Sequence, residues 1–224
     1  MPLLGSAALL LCFDLVPEAI SEHDDWHTHE HLPERLSIPG FLRGTRWVAI
    51  RGVPRYLVLY EVEQLATLTS PAYLERLNEP SVWTARMMPH YRSMSRGFCL
   101  VTASFGLGIG HLSVLFRFKP ASASATSLRR WLVQDVLPDL PVAPGIGSIH
   151  LLEGAVTPRM TNEQRIRGPD AGIDWALLVT GYSEAALAEV VRNVGGALQQ
   201  RVATAVLDCM YRIDYSLARM DVNA

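Results

Sequence analysis

The spacing of apolar residues along the chain changes repeatedly between the alternation typical of strands and the period of three to four residues typical of helices. In the first half this pattern predicts the order strand, helix, strand, strand, helix, strand. The predicted strands are Ala8–Val16, Phe41–Ile50, Arg55–Val62 and Arg96–Phe105. The predicted helices are Pro17–Leu36, Leu65–Leu77 and Ser81–Ser95, the last with Trp83, Met87, Tyr91 and Met94 on one stripe.

After a glycine-rich joint at Gly106–Gly110 the same order of elements begins again. The predicted strands of the second half are His111–Phe118, Ser148–Val156, Asp174–Tyr182 and one within Ala203–Leu217. Its predicted helices are Ser127–Leu137 and Glu184–Gln200, and Thr157–Gly172 is predicted to be a polar loop. Leu32-Pro33 followed by Pro39-Gly40 is echoed by Leu137-Pro138 followed by Pro144-Gly145. A tandem repeat explains these coincidences, with predicted domains at residues 1–107 and 108–224.

Each half therefore has the βαββαβ order of a ferredoxin-like unit, in which helices cover one face of an antiparallel sheet. The other face is apolar and must be buried, and a second sheet packed against it does so. The sequence predicts an α+β fold in which two such repeats form one α+β barrel within a single chain. A homodimer of the whole chain is compatible with this fold but is not needed to close the barrel.

The composition excludes some classes of function. The 224 residues are 49% hydrophobic with a net charge of −2, which does not favour nucleic-acid binding. No stretch reaches the roughly 20 apolar residues of a membrane span, and the apolar start at residues 1–13 lacks the basic residues of a signal peptide. The three cysteines are widely spaced, which is typical of a reducing cytoplasm. We expect a cytoplasmic protein whose partner is a small molecule.

Four of the seven histidines lie in the segment His23–His31, together with three acidic residues. On a helix, Ile20, Asp24, His27 and His31 share one face, while Asp25 and His29 lie away from it. One hypothesis is that His27 and His31 project into a pocket between helix and sheet, where Asp24 orients an imidazole for acid–base catalysis. The alternative is a solvated polar helix without a function.

The same segment contains the pattern His-x-x-Glu-His at residues 27–31, which in inverzincin peptidases supplies zinc ligands and a catalytic glutamate. We do not expect a peptidase, because no larger peptidase framework surrounds the pattern and Pro33 is predicted to end the helix. Our first expectation is that the protein uses no cofactor. A divalent metal on His27, His31 and one acid is an alternative, as is a haem bound by His111 or His150.

A resemblance to a known family lies in the segment Asp25-Trp26…Glu30-His31-Leu32-Pro33-Glu34-Arg35, followed by Ile38-Pro39-Gly40-Phe41. It resembles the first helix and second strand of the EthD-like branch of the dimeric α/β-barrel superfamily. That superfamily includes muconolactone isomerase, antibiotic-biosynthesis monooxygenases, polyketide cyclases and chlorite dismutase. The resemblance implies that His31 is the pocket histidine and that Trp26 packs near it.

Two departures from that family pattern are visible. The spacing from Trp26 to His31 is one residue longer than in the EthD-like pattern, which would rotate the histidine relative to the cleft. The second half has Val136 where His31 would repeat, and we expect it to lack the Trp/His pair. Only the N-terminal unit is then expected to have a site.

Other candidate residues lie on the predicted strands and on the second helix. Tyr56 and Tyr60 point to the same face of the third strand and are candidates for substrate contacts. Arg46 and Arg86 are candidates to neutralise a carboxylate or an enolate. The first functional hypothesis is a cofactor-independent lyase, isomerase or decarboxylase with a histidine acid or base. The alternatives are a cofactor-free monooxygenase, a metal- or haem-dependent enzyme, and a non-catalytic small-molecule-binding protein.

Overall fold

The structure is a computed structural model that describes residues 2–155, 160–202 and 204–222. Eight of its strands form one closed antiparallel barrel in the order β1-β3-β2-β9-β5-β8-β6-β4, which β4 closes by pairing with β1. A ninth, two-residue strand pairs in parallel with β4. The strands are β1 (Ala7–Leu15), β2 (Phe41–Arg51), β3 (Tyr56–Val62), β4 (Tyr91–Gly106), β5 (Leu112–Phe118), β6 (Ile146–Gly154), β7 (Ala171–Gly172), β8 (Trp175–Gly181) and β9 (Leu207–Ala218).

The barrel consists of two four-stranded sheets with the same internal order. The first is β4-β1-β3-β2 and the second is β9-β5-β8-β6, and both follow the ferredoxin-like pattern. The sheets join where β2 pairs with β9 and where β4 pairs with β6. Since β4 has 16 residues, its first part pairs with β1 and its last part with β6. The predicted fold is confirmed: one chain supplies both halves of an α+β barrel.

The helices lie outside the barrel. A continuous helix at residues 20–37 consists of Ile20–Trp26, a π-helical turn at His27–His31, and Leu32–Ser37; we call it the histidine helix. The matching helix of the second unit is Ala125–Trp131 followed by a π-helical turn at Leu132–Val136. The other helices are Pro71–Asn78, Val82–Met87, Asn162–Arg167, Arg219–Val222 and the run Glu184–Val190, Val191–Gly195 and Gly196–Gln199. In the described ranges no helix is long and apolar enough to cross a membrane.

Alternation along the strands separates two kinds of core. On β1, Leu9 and Phe13 face the helices, whereas Leu10 and Cys12 face the barrel interior. The interior is filled with side chains that include Trp47 and all three cysteines, which are free and buried. The space between the first sheet and the histidine helix is a separate core, and the candidate site lies in it.

One predicted helix ends earlier than its sequence pattern indicates. The helix predicted for Ser81–Ser95 ends at Met87, and after one 3-10 turn β4 begins at Tyr91. The apolar spacing was misleading because β4 has a bulge at Ser93. This residue has a φ of 53° and coincides with a register shift between β1 and β4. The bulge puts Tyr91 and Met94 on the same face of a strand, which imitates the spacing of a helix.

The predicted polar loop at residues 157–172 contains two elements that the prediction missed. These are the helix Asn162–Arg167 and strand β7. Thr161 and Gln164 form a reciprocal capping box at the start of this helix, a signature readable from the sequence. Three predicted element ends lie outside the described residues. They are Val156 at the end of a strand, Thr157 at the start of the loop, and Ala203 at the start of the last strand segment.

Candidate functional site

The histidine helix passes through Pro33 instead of ending there. A proline in a helix lacks an N–H and its ring collides with the carbonyl of the preceding turn. Here the backbone widens just before the proline, so that the Leu32 N–H bonds to the His27 carbonyl, five residues back. The helix then continues to Ser37, and the expectation that Pro33 ends it is wrong.

The π-helical turn also brings Trp26 and His31 together. Two residues five positions apart in a regular α-helix are rotated by about 140° from each other and do not meet. In this helix the two ring centroids are 4.3 Å apart. The extra residue between Trp26 and His31 is therefore absorbed by the turn, and His31 still faces the sheet.

The second unit repeats this geometry without the imidazole. The Leu137 N–H bonds to the Leu132 carbonyl at 2.8 Å, again one residue before a proline. Trp131 occupies the position of Trp26, so the second half contains the tryptophan of the Trp/His pair but not its histidine. Val136 stands where His31 does, and the imidazole row therefore comes from the first unit.

Three imidazoles form a row along the buried face of the histidine helix. The ring centroids of His23 and His27 are 5.4 Å apart, and those of His27 and His31 are 5.7 Å apart. All three are buried, whereas Asp25 and His29 are exposed as predicted. Burial lowers the pKa of His23, and it lowers the pKa of His27 and His31 well below the usual 6.5. At neutral pH the row is uncharged.

His27 has a hydrogen-bond partner on each ring nitrogen. Arg46 Nη1 lies 3.3 Å from Nδ1, and because arginine can only donate, this nitrogen accepts. The proton of neutral His27 is therefore on Nε2, which donates to Tyr60 Oη at 3.2 Å. Arg46 is itself held by Asp214 at 2.7 Å and by the Asp24 carbonyl at 3.1 Å. Three residues predicted from the sequence, His27, Tyr60 and Arg46, thus form one chain of hydrogen bonds.

Asp24 orients a different imidazole from the one predicted. Its Oδ1 accepts from His23 Nδ1 at 3.1 Å and from Tyr56 Oη at 2.8 Å. Burial alone would raise the pKa of Asp24, but these hydrogen bonds and the charge of Arg46 lower it overall. Asp24 and Tyr56 therefore lie at the His23 end of the histidine row, and His23 separates them from His27.

His31 has no hydrogen-bond partner in the part of the chain that the structure describes. Its Nδ1 is buried and unpaired, and the nearest carboxylate oxygen, Glu34 Oε2, is 4.0 Å away. A buried imidazole nitrogen without a partner costs stability, which makes it a candidate for function. Its ring lines a cavity between the histidine helix and the sheet.

The cavity is narrow, and polar and apolar side chains alternate in its lining. The part that water can enter is about 30 Å³, enough for one or two water molecules. Its polar lining is His27, His31, Arg35, Tyr60, Tyr73, Tyr91, Arg96, Glu163 and Arg167. Its apolar lining is Leu9, Leu11, Phe13, Leu77, Met88 and Met94. The two methionines have flexible, unbranched side chains, which adapt more readily than the other residues to what fills the cavity.

Four charged residues of this lining were not predicted from the sequence. Arg35 Nη2 donates to Glu163 Oε1 at 2.5 Å and its Nη1 to Glu34 at 3.0 Å. Arg35 lies within the predicted helix, four residues after His31, and continues the row of Ile20, Asp24, His27 and His31. Glu163 and Arg167 come from the helix Asn162–Arg167 of the second unit, and Arg96 comes from β4.

Of the five predicted substrate contacts, Tyr60 lines the cavity, whereas Trp26, Arg46, Tyr56 and Arg86 are not part of its lining. The Arg86 side chain is 58% exposed and pairs with Glu22 on the surface. Trp26, in contrast, is fully buried beside His31, and its Nε1 donates to Glu30 at 3.2 Å.

Known proteins resemble the chain in structure. No family model matches the sequence, and no curated protein matches it. An anthrone oxidase-like protein has a TM-score of 0.68 at 14% identity, with 95% of this chain and 92% of the other covered. A protein of Fusobacterium nucleatum assigned as a monooxygenase has a TM-score of 0.62 at 8% identity, with 96% and 95% covered. A protein of Lactobacillus acidophilus with the same assignment has a TM-score of 0.58 at 8% identity, with 95% of this chain and 96% of the other covered.

Identities this low show the fold alone. The matches extend over nearly the whole length of both chains, so the entire barrel is shared and not only one unit. The chain therefore has the ferredoxin-like architecture of the dimeric α+β barrel proteins, with both halves of the barrel in one polypeptide.

Proposed function

We propose that this protein is an enzyme that removes a proton from a small, partly apolar organic substrate at His31, and that molecular oxygen then reacts with the carbanion. The observation that supports it most is the free nitrogen of buried, neutral His31 in a cavity beside Tyr60. The oxygenation step is supported by neighbours of the same fold that are described as anthrone oxidase-like and as monooxygenases. Contact between Trp26 and His31 supports the EthD-like resemblance as part of this proposal.

The proposed roles follow from the hydrogen bonds. His31 accepts the proton of an activated C–H group, and the apolar side chains of the lining contact the carbon skeleton. Tyr60 accepts from His27, so its own O–H is free to donate to the oxygen on which the enolate charge develops. Burial raises the pKa of Tyr60 well above its usual range, so the hydroxyl stays protonated. His27 and Arg46 are positioning residues that fix the direction in which Tyr60 donates.

Oxygenation needs no further reactant besides molecular oxygen. The carbanion donates an electron pair to O₂, a C–O bond forms, and the proton on His31 completes a hydroperoxide. Loss of water from the hydroperoxide breaks the C–H and O–O bonds and leaves a ketone. The sum is a methylene group and O₂ giving a carbonyl group and H₂O. A lyase, isomerase or decarboxylase would use the same proton transfer without consuming O₂.

The donor set of the site does not suit a metal on the histidine pair. Both ring nitrogens of His27 are already engaged, with Arg46 and with Tyr60, so neither has a free lone pair for a cation. Among the described residues, no cluster of three or more His, Cys, Asp and Glu side chains is arranged to hold a metal ion. The alternative haem ligand His150 is enclosed in the barrel, its Nδ1 2.9 Å from Ser104 Oγ and its Nε2 3.0 Å from Ser148 Oγ.

The test is oxygen uptake with a hydroxyanthrone as substrate, followed with the absorbance of the quinone product. We expect the wild type to consume one O₂ per quinone formed, and His31→Ala to lose about 10²–10⁴-fold in rate. His29→Ala, a change on the exposed face of the same helix, serves as the matched control and should retain full activity. Equal rates for His31→Ala and the wild type would remove His31 from the mechanism. Product formation without O₂ uptake would favour the isomerase or lyase reaction.

A further inference from the structure

Three guanidinium groups line the cavity beside His31, those of Arg35, Arg96 and Arg167. Arg35 is shared between two carboxylates, Glu34 at 3.0 Å and Glu163 at 2.5 Å. Arg167 is paired with Asp170, whose Oδ2 is 2.8 Å from Arg167 Nη2 and 3.8 Å from Arg96 Nη1. Within the described residues, Arg96 is therefore the one of the three that has no carboxylate within hydrogen-bond distance.

Arg96 is the least satisfied of the three arginines. It is 3% exposed, and its buried Nε has no hydrogen-bond partner among the residues that the structure describes. Its Nη2 donates to Tyr73 Oη at 3.3 Å, and the guanidinium lies 4.7 Å from the Phe98 ring centroid. Its carboxylate partner Asp170 already accepts three hydrogen bonds from Arg167, at 3.1, 2.9 and 2.8 Å. A buried arginine in this state retains binding capacity for an anion.

We infer that the ligand of this cavity carries a carboxylate group, which Arg96 binds while the rest of the molecule reaches His31. A planar guanidinium fork matches the two oxygens of a carboxylate, which favours this group over a single anionic oxygen. The inference rests on the proposed function for one point, that the ligand is the substrate. It then adds that this substrate is an organic acid with an activated C–H group.

Binding is measured without turnover, by isothermal titration of the full chain with two probes of equal shape. These probes are 2-naphthoate and its neutral amide, 2-naphthamide. We expect the acid to bind at least about tenfold more tightly than the amide, the effect of one charge-assisted hydrogen bond. Arg96→Gln should remove that preference, and Arg96→Lys, which keeps the charge but not the fork, should reduce it.

Arg129→Gln is the matched control. Arg129 also pairs with a carboxylate, Glu153 Oε2 at 2.6 Å, and stacks on an aromatic ring, that of Trp175, but it lies in the second unit away from the cavity. The acid should bind this variant as tightly as it binds the wild type. If Arg96→Gln does not fold by circular dichroism, Arg167→Gln on the short outer helix replaces it, with the same expected loss.

Three results would overturn the inference: no binding of naphthoate, equal binding of naphthoate and naphthamide, or unchanged naphthoate binding in folded Arg96 and Arg167 variants. The outcome is separable from that of the proposed reaction. Naphthoate binding with the expected pattern, in a protein that oxidises no hydroxyanthrone, leaves the inference standing and removes the reaction. Turnover of hydroxyanthrone without any preference for the acid leaves the proposed reaction standing and removes the inference.

Discussion

The direction of the hydrogen bonds around His27 decides which side chain can act as the base. Because Arg46 can only donate, His27 Nδ1 accepts and Nε2 carries the proton that Tyr60 receives. His27 has no free lone pair for a substrate proton, whereas His31 has an unpaired nitrogen. We therefore assign positioning to His27 and proton transfer to His31.

Removing the Tyr60 hydroxyl tests this assignment. We expect Tyr60→Phe to lower kcat/KM by about 10²–10³-fold, the usual cost of one donor to a developing oxyanion. Tyr56→Phe is the matched control, since its hydroxyl bonds to Asp24 outside the cavity. Steady-state kinetics of both variants with a hydroxyanthrone give the answer, and a larger loss in Tyr56→Phe than in Tyr60→Phe contradicts the assignment.

The Arg35–Glu163 pair should matter for stability because both side chains are buried. Glu163→Ala leaves the Arg35 charge with Glu34 alone, and we expect a loss of about 3 kcal/mol in the free energy of unfolding. Glu153→Ala breaks a similar pair with Arg129, whose side chain is 40% exposed, and should cost less than about 1 kcal/mol. Denaturant titration of both variants measures the difference, and equal losses would contradict the buried role of Glu163.

Helical and strand periodicity selected His27, Tyr60 and Arg46 as separate candidates, and the structure brings them together because they lie on one helix face and two adjacent strands. The arginines and the glutamate of the cavity were missed for two reasons. Arg35 lies on the same helix face, four residues after His31, but an arginine near a helix end is usually exposed and gives no signal of its own. Glu163 and Arg167 come from the other unit, and no local pattern predicts which distant segment covers a site.

At the scale of the element, the π-helical turn determines where the imidazoles point. It holds one residue more than a regular turn and accommodates both Pro33 and the longer spacing from Trp26 to His31. A periodicity analysis assumes regular turns, so this feature could not be predicted from the row of histidines. The Ser93 bulge misled the analysis of β4 in the same way, by giving a strand the apolar spacing of a helix.

Two single-residue deletions distinguish the π turn from the α-helical part. Deleting His29, which is exposed and lies within the turn, is combined with Pro33→Ala, because Pro33 would collide with the preceding turn of a regular helix; this variant should keep both helix ends in place with little change in Tm. Deleting Asp25, which is equally exposed but precedes Trp26, should rotate Trp26 and His27 off the core. We expect that deletion to cost about 3–5 kcal/mol, the usual cost of losing a large buried aromatic side chain. Similar thermal unfolding of the two variants would contradict the account.

At the scale of the molecule, duplication was predictable because both units repeat the same element order and the same Leu-Pro and Pro-Gly signals. The closed barrel follows from burying two apolar sheet faces against each other, and the structure confirms it. The units are not equivalent in chemistry, however. The second keeps the π turn and Trp131 but has Val136 in place of the imidazole, while its short helix covers the cavity of the first.

Buried neutral histidines should make the whole molecule sensitive to acid. Burial lowers the pKa of His150 to about 3, and it also lowers the pKa of His27 and His31. Below pH 6.5 the unfolded chain binds protons that the folded chain does not, so stability rises with pH across this window and is fully present above it. For His150 the window extends from pH 6.5 down to about 3.

We expect the free energy of unfolding to fall by up to about 1.4 kcal/mol per pH unit for each such histidine as the pH drops below 6.5. Denaturant titrations between pH 7.5 and 5 measure the slope. His29→Gln, which removes an exposed imidazole, should give the same curve as the wild type. A stability that does not change over this range would mean that the histidine row is open to water.

The central claim is that His31 takes a proton from carbon, and anaerobic exchange in D₂O tests it most directly because no oxygen chemistry intervenes. A hydroxyanthrone is incubated with the protein without O₂, and proton NMR follows the loss of its methylene signal. We predict rapid enzyme-dependent exchange with the wild type and with His29→Gln, and exchange at the uncatalysed rate with folded His31→Gln. Equal exchange by His31→Gln and the wild type would contradict the account.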